Sequence, residues 1–413
     1  RSMAKRRRET IPLGVLYSLT GPYGLVGREM LNGLTLAVDQ INASSEFDFQ
    51  FTPLVFDPGG DLQNYQEHCE SLIRDKGVRH IVGCYTSASR KQVLPLIERY
   101  DRLLWHSARY EGFENSDNVI YVGAAPNQHI VPLARHMIET LGNSVYCVGA
   151  NYLWTWETHR VLQEIVSAAG GQIIAKRLVA LWDTEIDHIV REIVERRPPI
   201  VFNTLVGEAS YRFYRGLHRA LSGQASRPPV LSCSLCEPEL RLIGPRASVG
   251  HITSSVYFAS IDTPENRSFV RRYREMFGSS NLPSVDAEAS YLCGLLLARA
   301  IRRAGSTDVQ SVRTAVWRDE LQAPQGMVKV DPENNHCYLT PRLARSRAGF
   351  SFEILDAAAA PVKPDPYLTW LDLDDLAQRA PGQPARGSEP GRDLEPGHVR
   401  CGHVRPGHVR VIK

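Results

Sequence analysis

The sequence predicts an α/β protein built from two doubly wound parallel sheets, and three observations carry that prediction. Short apolar runs of strand length alternate with amphipathic helical patterns through the first 124 residues. The alternation restarts at Ser144 and runs on past Tyr257. At 413 residues, the chain is long enough for two cores. Two wound sheets in succession imply two lobes with a cleft between them.

Taken in order, residues 11–17 read as a strand, Leu19 to Gly24 as a turn, and 25–42 as a helix with Met30, Leu34, Leu36, Ala37 and Ile41 at helical spacing. A strand at 49–56 ends in Asp57-Pro58-Gly59-Gly60-Asp61, and a helix at 62–74 leads to a short apolar strand at 81–84. The next helix carries Leu94, Leu96, Ile97 and Tyr100, and strands follow at 102–107 and 119–122. Ala124-Ala125-Pro126-Asn127-Gln128 reads as a loop crossing between lobes. Strands at 144–150, 173–179, 200–205, 230–233 and 251–257 then alternate with helices at 156–169, 186–196 and 208–221 and a short one near Pro238. A helix at 265–277 precedes the longest one, 285–304, which is apolar on several faces and therefore expected to be buried. Residues 323–330 and 350–355 look like hairpin strands.

This places a first lobe at 11–124 and 258–330 and a second at 125–257 and 331–375. A basic tail at 1–10 precedes them, with Met3 read as the native start after a cloning remnant, Arg1-Ser2. A Gly-, Pro- and Arg-rich segment at 376–413, in which Gly-His-Val-Arg occurs three times, is read as a disordered tail.

A net charge of +3, scattered along the chain, gives no argument for direct nucleic-acid contact. No run approaches the roughly 18 apolar residues of a membrane span, so no membrane partner is expected. The apolar stretch after the basic start is short and carries no small-residue cleavage site, so it is read as a strand rather than a signal peptide. Eight scattered cysteines fit reduced thiols, and Cys233-Ser234-Leu235-Cys236 has no second pair at zinc spacing. No metal or other cofactor is expected, and the expected compartment is the cytoplasm.

Neither GxxxxGK[ST] nor GxGxxG is present, which removes support for nucleoside phosphates. The strand, hydroxyl-rich turn and helix at 81–97 set Thr86, Ser87 and Ser89 around a helix N-terminus, where free N–H groups meet an anion or a carbonyl. The same residues are equally those that cap any helix. Tyr85 beside them, and a second strand end leading to Tyr110-Glu111-Gly112-Phe113, favour a ligand site at the carboxyl edge of the sheet. Ser87, His106 and Glu111 can be drawn as a hydrolase triad, but no nucleophile elbow or oxyanion motif accompanies them, and no enzyme activity is expected.

Val82-Gly83-Cys84-Tyr85 with Ser87 and Arg90-Lys91, then Tyr110-Glu111-Gly112-Phe113-Glu114, resemble the amide-sensor proteins of bacterial aliphatic amidase operons. So do Ala125-Pro126-Asn127-Gln128, Ser260-Ile261-Asp262-Thr263-Pro264, Ala323-Pro324-Gln325-Gly326, Asn334-Asn335-His336 and Asp365-Pro366-Tyr367. The resemblance covers residues 11–373 and implies a type I periplasmic-binding-protein fold, two lobes joined by three crossovers and closing over a small ligand. It also implies a cytosolic negative regulator that binds short amides, restrains an antiterminator protein and forms a homodimer. An alternative on the same fold is the substrate-binding protein of an ABC transporter for amides, urea or branched amino acids.

The resemblance places the pocket at Tyr85, Thr86, Ser87, His106, Ala108, Tyr152, Trp154 and Leu235. Tyr85, Ser87 and Tyr152 match the family; His106, Ala108 and Trp154 stand where it has tyrosine, threonine and tyrosine. Leu235 falls at a pocket threonine, with Ser234 the alternative under a one-residue shift. Ala108 removes a hydroxyl, Trp154 adds apolar area with one donor, and His106 is expected to titrate near neutrality unless it is a satisfied strand-end histidine. These departures predict an amide larger than acetamide, an aromatic one included. Cleft packing is the plainer reading of Trp154 and Trp156.

Overall fold

The computed structural model describes residues 8–379. The first lobe opens with β1 (Glu9–Leu16), α1 (Gly24–Ala43), β2 (Phe49–Phe56), α2 (Leu62–Arg74), β3 (His80–Gly83), α3 (Ser87–Arg99), β4 (Leu103–His106) and β5 (Val119–Tyr121). The second continues with α4 (Ile130–Thr140), β6 (Ser144–Asn151), α5 (Leu153–Ala168), β7 (Gln172–Ala180), α6 (Asp187–Arg196), β8 (Val201–Thr204), α7 (Glu208–Ala220), β9 (Val230–Ser232), α8 (Glu237–Ile243) and β10 (Ile252–Ser255). Then come α9 (Pro264–Phe277), α10 (Val285–Ala304), α11 (Val309–Val316), β11 (Leu321–Ala323), β12 (Gly326–Val330), β13 (Cys337–Tyr338), β14 (Arg342–Arg347), β15 (Ser351–Ala357) and α12 (Leu373–Gln378).

The first sheet is parallel throughout, in the order β2-β1-β3-β4-β5. Every residue of β3 and β4 is buried, as expected of parallel strands covered by helices on both faces. The second sheet runs β15-β14-β10-β9-β8-β6-β7, parallel except for the β14–β15 hairpin, which is antiparallel to β10. A small sheet, β11-β12-β13, packs into the core of the first lobe.

Helices α1 and α10 form the centre of that core. Gly33 lets their backbones meet: a Cβ there would lie 1.9 Å from the carbonyl oxygen of Ala287. Ser284 caps α10 by accepting from the Ala287 N–H, and Gly305 closes it in the left-handed region at φ 64.

The chain passes between lobes three times. Tyr121 ends the first sheet and Ile130 already packs in the second lobe. Val256 and Tyr257 return to the core of the first lobe. Beyond Val330, Cys337 and Leu339 still pack there, whereas Leu343 packs in the second lobe.

Several elements differ from the sequence reading. Helix α4 occupies a stretch that was given no helix, although Ile130, Leu133, Ala134, Met137 and Ile138 line one buried face. Strand β14 alternates buried Leu343, Ala344 and Ser346 with arginines, which hid its strand character. Helix α11 and strand β13 went unread because they are short. Glu9 and Thr10, assigned to the basic tail, open β1; Leu376 to Gln378, assigned to the disordered tail, belong to α12, where Leu376 is buried in the second-lobe core. Arg8 and Arg379 are also described, and the remaining tail residues, 1–7 and 380–413, lie outside the described residues. The seven described cysteines are buried free thiols, and no helix among the described residues is long and apolar enough to cross a membrane.

Candidate ligand site between the lobes

In the first sheet β1 lies between β2 and β3, and in the second β6 lies between β7 and β8. Each is a point where successive connections turn opposite ways, so a crevice opens at the carboxyl ends of the strands. From the first lobe, Tyr85 follows β3, Arg109 follows β4, and Asp286 sits in the first turn of α10. From the second, Tyr152 and Trp154 start α5, and Cys236 and Glu239 start α8.

Arg109 organises this crevice. Its side chain is 12% exposed, and its charge partner, the Asp286 carboxylate, stands 3.6 Å from Nη1, beyond hydrogen-bond distance. The guanidinium lies over the Trp154 ring at 5.4 Å. Its Nε and Nη1 groups, and the Trp154 Nε1–H, have no hydrogen-bond partner among the described residues. Burial drives the Tyr85 and Tyr152 hydroxyls well above the usual phenol range, and the charge of Arg109 opposes that rise in both. Burial also raises Asp286, against the pull of Arg109, and pushes Glu239 up to about 7. The Cys236 thiol donates to Glu239 Oε1 at 3.2 Å.

Arg109 and Asp286 both line a small cavity with His129, Cys233 and Ser254, whose volume of about 10 Å³ suits a single water. His129 donates from Nε2 to the Tyr110 carbonyl at 2.8 Å, which fixes the tautomer and leaves Nδ1 a bare acceptor.

Of the residues singled out from the sequence, Tyr85, Tyr152 and Trp154 meet around Arg109. The others are engaged elsewhere. Thr86 caps α3, accepting from the Ser89 N–H at 3.2 Å. Ser87 donates to Glu111 Oε2 at 2.5 Å. His106 is fully buried: Nδ1 donates to the Gly83 carbonyl at 3.2 Å and Nε2 accepts from Arg90 Nη1 at 3.3 Å. Burial and the adjacent Arg90 push it down to about 3, so it is the satisfied strand-end histidine and not a group titrating near neutrality. No Ser87–His106–Glu111 triad forms, since Ser87 and His106 have separate partners. Ala108 is packed in the first-lobe core, so its missing hydroxyl opens no space in the cleft. Leu235 is packed in the second-lobe core. Trp156 is 51% exposed and donates to Asn151 at the surface.

The motif residues Arg90, Glu111 and Glu114 form a buried ionic cluster behind the cleft, with Arg90 Nε 2.8 Å from Glu114 and Tyr121 donating to the same carboxylate at 2.6 Å. Arg109, Asp286 and Glu239 were missed. A signal existed for two of them: Arg109 lies three residues past the end of β4, and Asp286 is an acid in the first turn of a largely buried helix.

A family model described as a periplasmic binding protein domain matches residues 11–372. The chain belongs to that family. The Leu/Ile/Val-binding protein homolog 6 of Brucella abortus (strain 2308) is 21% identical over 333 residues, which span 79% of this chain and 85% of the relative. The solute-binding protein of an ABC transporter from Rhodopseudomonas palustris, solved with 3,4-dihydroxybenzoic acid, superposes with a TM-score of 0.78 at 17% identity, covering 86% of this chain and 99% of that one. An ABC transporter substrate-binding protein from Sphaerobacter thermophilus gives 0.76 at 22% identity, covering 86% and 99%. At these identities the structural likeness establishes the fold, the type I periplasmic-binding-protein arrangement.

Proposed function

We propose that this chain is the solute-binding receptor of a transport system, closing its two lobes over one small organic molecule. The observation that carries the reading is the set of unpaired donors of Arg109 and Trp154 beside the Tyr85 and Tyr152 hydroxyls, contributed by both lobes and therefore assembled only on closure. Leaving buried donors unmatched costs about 1–3 kcal/mol each, so a solute that supplies acceptors favours the closed state. The names of the relatives, Leu/Ile/Val-binding and ABC transporter substrate-binding, support the same class of use.

The test is a thermal-shift screen of the purified chain against branched amino acids, short and aromatic amides, urea and benzoates. A solute at 100 times its Kd stabilises by about 2.7 kcal/mol, a visible shift. Stabilisation by at least one solute supports the receptor; turnover of an amide in place of binding refutes it.

A second reading has the same cleft sensing an amide in the cytosol, releasing a bound antiterminator when the ligand closes the lobes. It is favoured by the meeting of Tyr85 and Tyr152, two positions that match the amide-sensor resemblance, beside one polar cluster. Linkage then requires the antiterminator to weaken amide binding by the factor with which amide weakens the antiterminator's. Co-purification that added amide dissolves supports this reading, and permease and ATPase genes beside this one favour the first.

A further inference from the structure

We propose that Arg342 is a latch across the hinge, tying the second lobe to the first, and that ionisation of Glu288 releases it and lets the lobes part. Both readings above need the lobes to move, and neither assigns a residue to the hinge.

Arg342 opens β14 in the second lobe, yet its guanidinium donates to main-chain carbonyls of the hinge and the first lobe. Nη1 donates to Val256 at 2.8 Å and to Thr340 at 3.0 Å, and Nη2 donates to Gln325 at 2.7 Å. Val256 packs in the first-lobe core, and Gln325 sits in the β11–β12 turn between the core residues Ala323 and Val328. Thr340 lies on the third crossover, between Leu339 of the first-lobe core and Leu343 of the second. The first crossover is tied in separately, through the buried Gln128, whose Nε2 donates to the carbonyls of Cys337 at 2.9 Å and Val362 at 3.0 Å. The crossovers thus share a knot of side-chain bonds to carbonyls, and Arg342 is its cation.

Glu288, fully buried on α10, lies on the first-lobe side of this knot. Gln325 connects the two: its carbonyl accepts from Arg342, and its Nε2 donates to Glu288 Oε2 at 3.0 Å. The remaining oxygens, Glu288 Oε1 and Gln325 Oε1, have no partner among the described residues. Two leftover acceptors at one contact need a donor, and a protonated Glu288 carries one. Ionised, Glu288 has no donor and holds a buried negative charge, which is costly unless a cation turns to it. Tyr257, Tyr291, Cys293 and Cys337 also face this carboxyl, and burial raises each hydroxyl and thiol above its usual range, so they stay neutral. Arg342 is the cation whose charge acts on Glu288. Turning toward it means leaving the Val256 and Thr340 carbonyls, which frees the second and third crossovers from each other. Burial pushes Glu288 up to about 8, so the release falls at mildly alkaline pH.

The experiment follows the radius of gyration of the full chain, without solute, by small-angle X-ray scattering from pH 6 to 9. Wild type is compared with Glu288→Gln, which keeps the shape and cannot ionise. Glu29, Glu237 and Glu239, pushed up to about 7, titrate in both proteins alike. Wild type should expand as pH rises through about 8, and Glu288→Gln should lack that step. The closed-to-open ratio should fall about tenfold across it, the change that follows when opening brings Glu288 about one pH unit nearer a free carboxyl. Arg342→Met should be expanded already at pH 6, and Arg342→Lys, with charge but no planar fork, should fall between. A residue that only supports the fold would lower Tm without changing the size of the folded protein, so Tm is measured alongside. Should Arg342→Met fail to fold, the Glu288→Gln comparison decides alone. Identical profiles for wild type and Glu288→Gln, with or without a step, overturn the latch. So does a folded Arg342→Met as compact as wild type. Neither result touches the receptor reading, because no solute enters the measurement.

Discussion

Tyr23 of the first lobe and Trp182 of the second stack across the mouth of the cleft, with ring centroids 5.5 Å apart and planes at 29°. Tyr23 also sits 5.5 Å from Tyr85 with the rings tilted at 46°, which continues the aromatic contact toward the cleft. Residues held on different lobes meet this way only when the lobes are together, so the contact contributes to closure.

Trp182→Ala should therefore weaken solute binding without touching the polar groups. A stacked pair is worth about 0.5–1.5 kcal/mol, which translates to an affinity loss of about 2- to 10-fold, and Trp182→Phe should recover most of it. Titration of whichever amide or amino acid stabilises the wild type measures this; unchanged affinity in the alanine variant would remove Trp182 from the closing mechanism.

Arg90 is fully buried and holds Glu114 at 2.8 Å and Glu111 at 3.4 Å. Arg90→Met leaves the two buried carboxylates with the Ser87 and Tyr121 hydroxyls and one cation, Lys91 at 3.0 Å from Glu114, and should cost about 3–5 kcal/mol. The midpoint of urea unfolding checks this. A loss below about 1 kcal/mol would mean that water or Lys91 compensates fully.

Acid should destabilise the fold through its buried histidines. His106 is pushed down to about 3 and His336 to about 4, in both cases chiefly by burial. Because folding lowers these values from about 6.5, the unfolded chain binds more protons between them, and the contribution present above pH 6.5 is lost as pH falls toward 3–4. His106→Gln should shallow the fall of Tm between pH 6.5 and 4; parallel profiles for variant and wild type would contradict the assignment.

Glu288 should act with the opposite sign. Burial in the first lobe pushes its carboxyl up to about 8, with one oxygen accepting from Gln325 at 3.0 Å. Folding raises this value above the unfolded one, so its contribution is present below about pH 4.5 and is lost as pH rises toward 8. Glu288→Gln should match the wild type near pH 5 and exceed it in Tm at pH 8.5. A gap that stays constant across that range would show that Glu288 is ionised in the fold.

The alternation of strand and helix was plain in the sequence, and α2 and α10 run over the residues expected of them. Periodicity reports the face that an element buries, and in wound α/β lobes that face is continuous from turn to turn. Where arginines interrupt the pattern, as the half-buried Arg342 and Arg345 do along β14, the signal fails because burial is decided by the neighbouring strand.

The site was legible only in part. Tyr85 could be picked out because an aromatic residue beside hydroxyls at a strand end is a local feature, whereas Tyr152 and Trp154 came only from the family resemblance. The roles of Ser87 and His106 could not, since each depends on a partner brought close by the fold: Glu111 lies 24 residues beyond Ser87 in the chain, and Arg90 lies 16 before His106.

By itself the sequence determined the fold class, the two-sheet organisation and the carboxyl-edge position of the cleft, all of which follow from local periodicity and turn chemistry. Tertiary structure alone decided which polar groups remain unpaired there. Arg109 and Asp286 are separated in the chain by the second lobe's strands and helices from α4 to β10, and only the packing of α10 against the first sheet sets them 3.6 Å apart. Hydrogen-bond satisfaction is a property of three-dimensional neighbours, so the chemistry of the cleft emerges when the lobes are assembled.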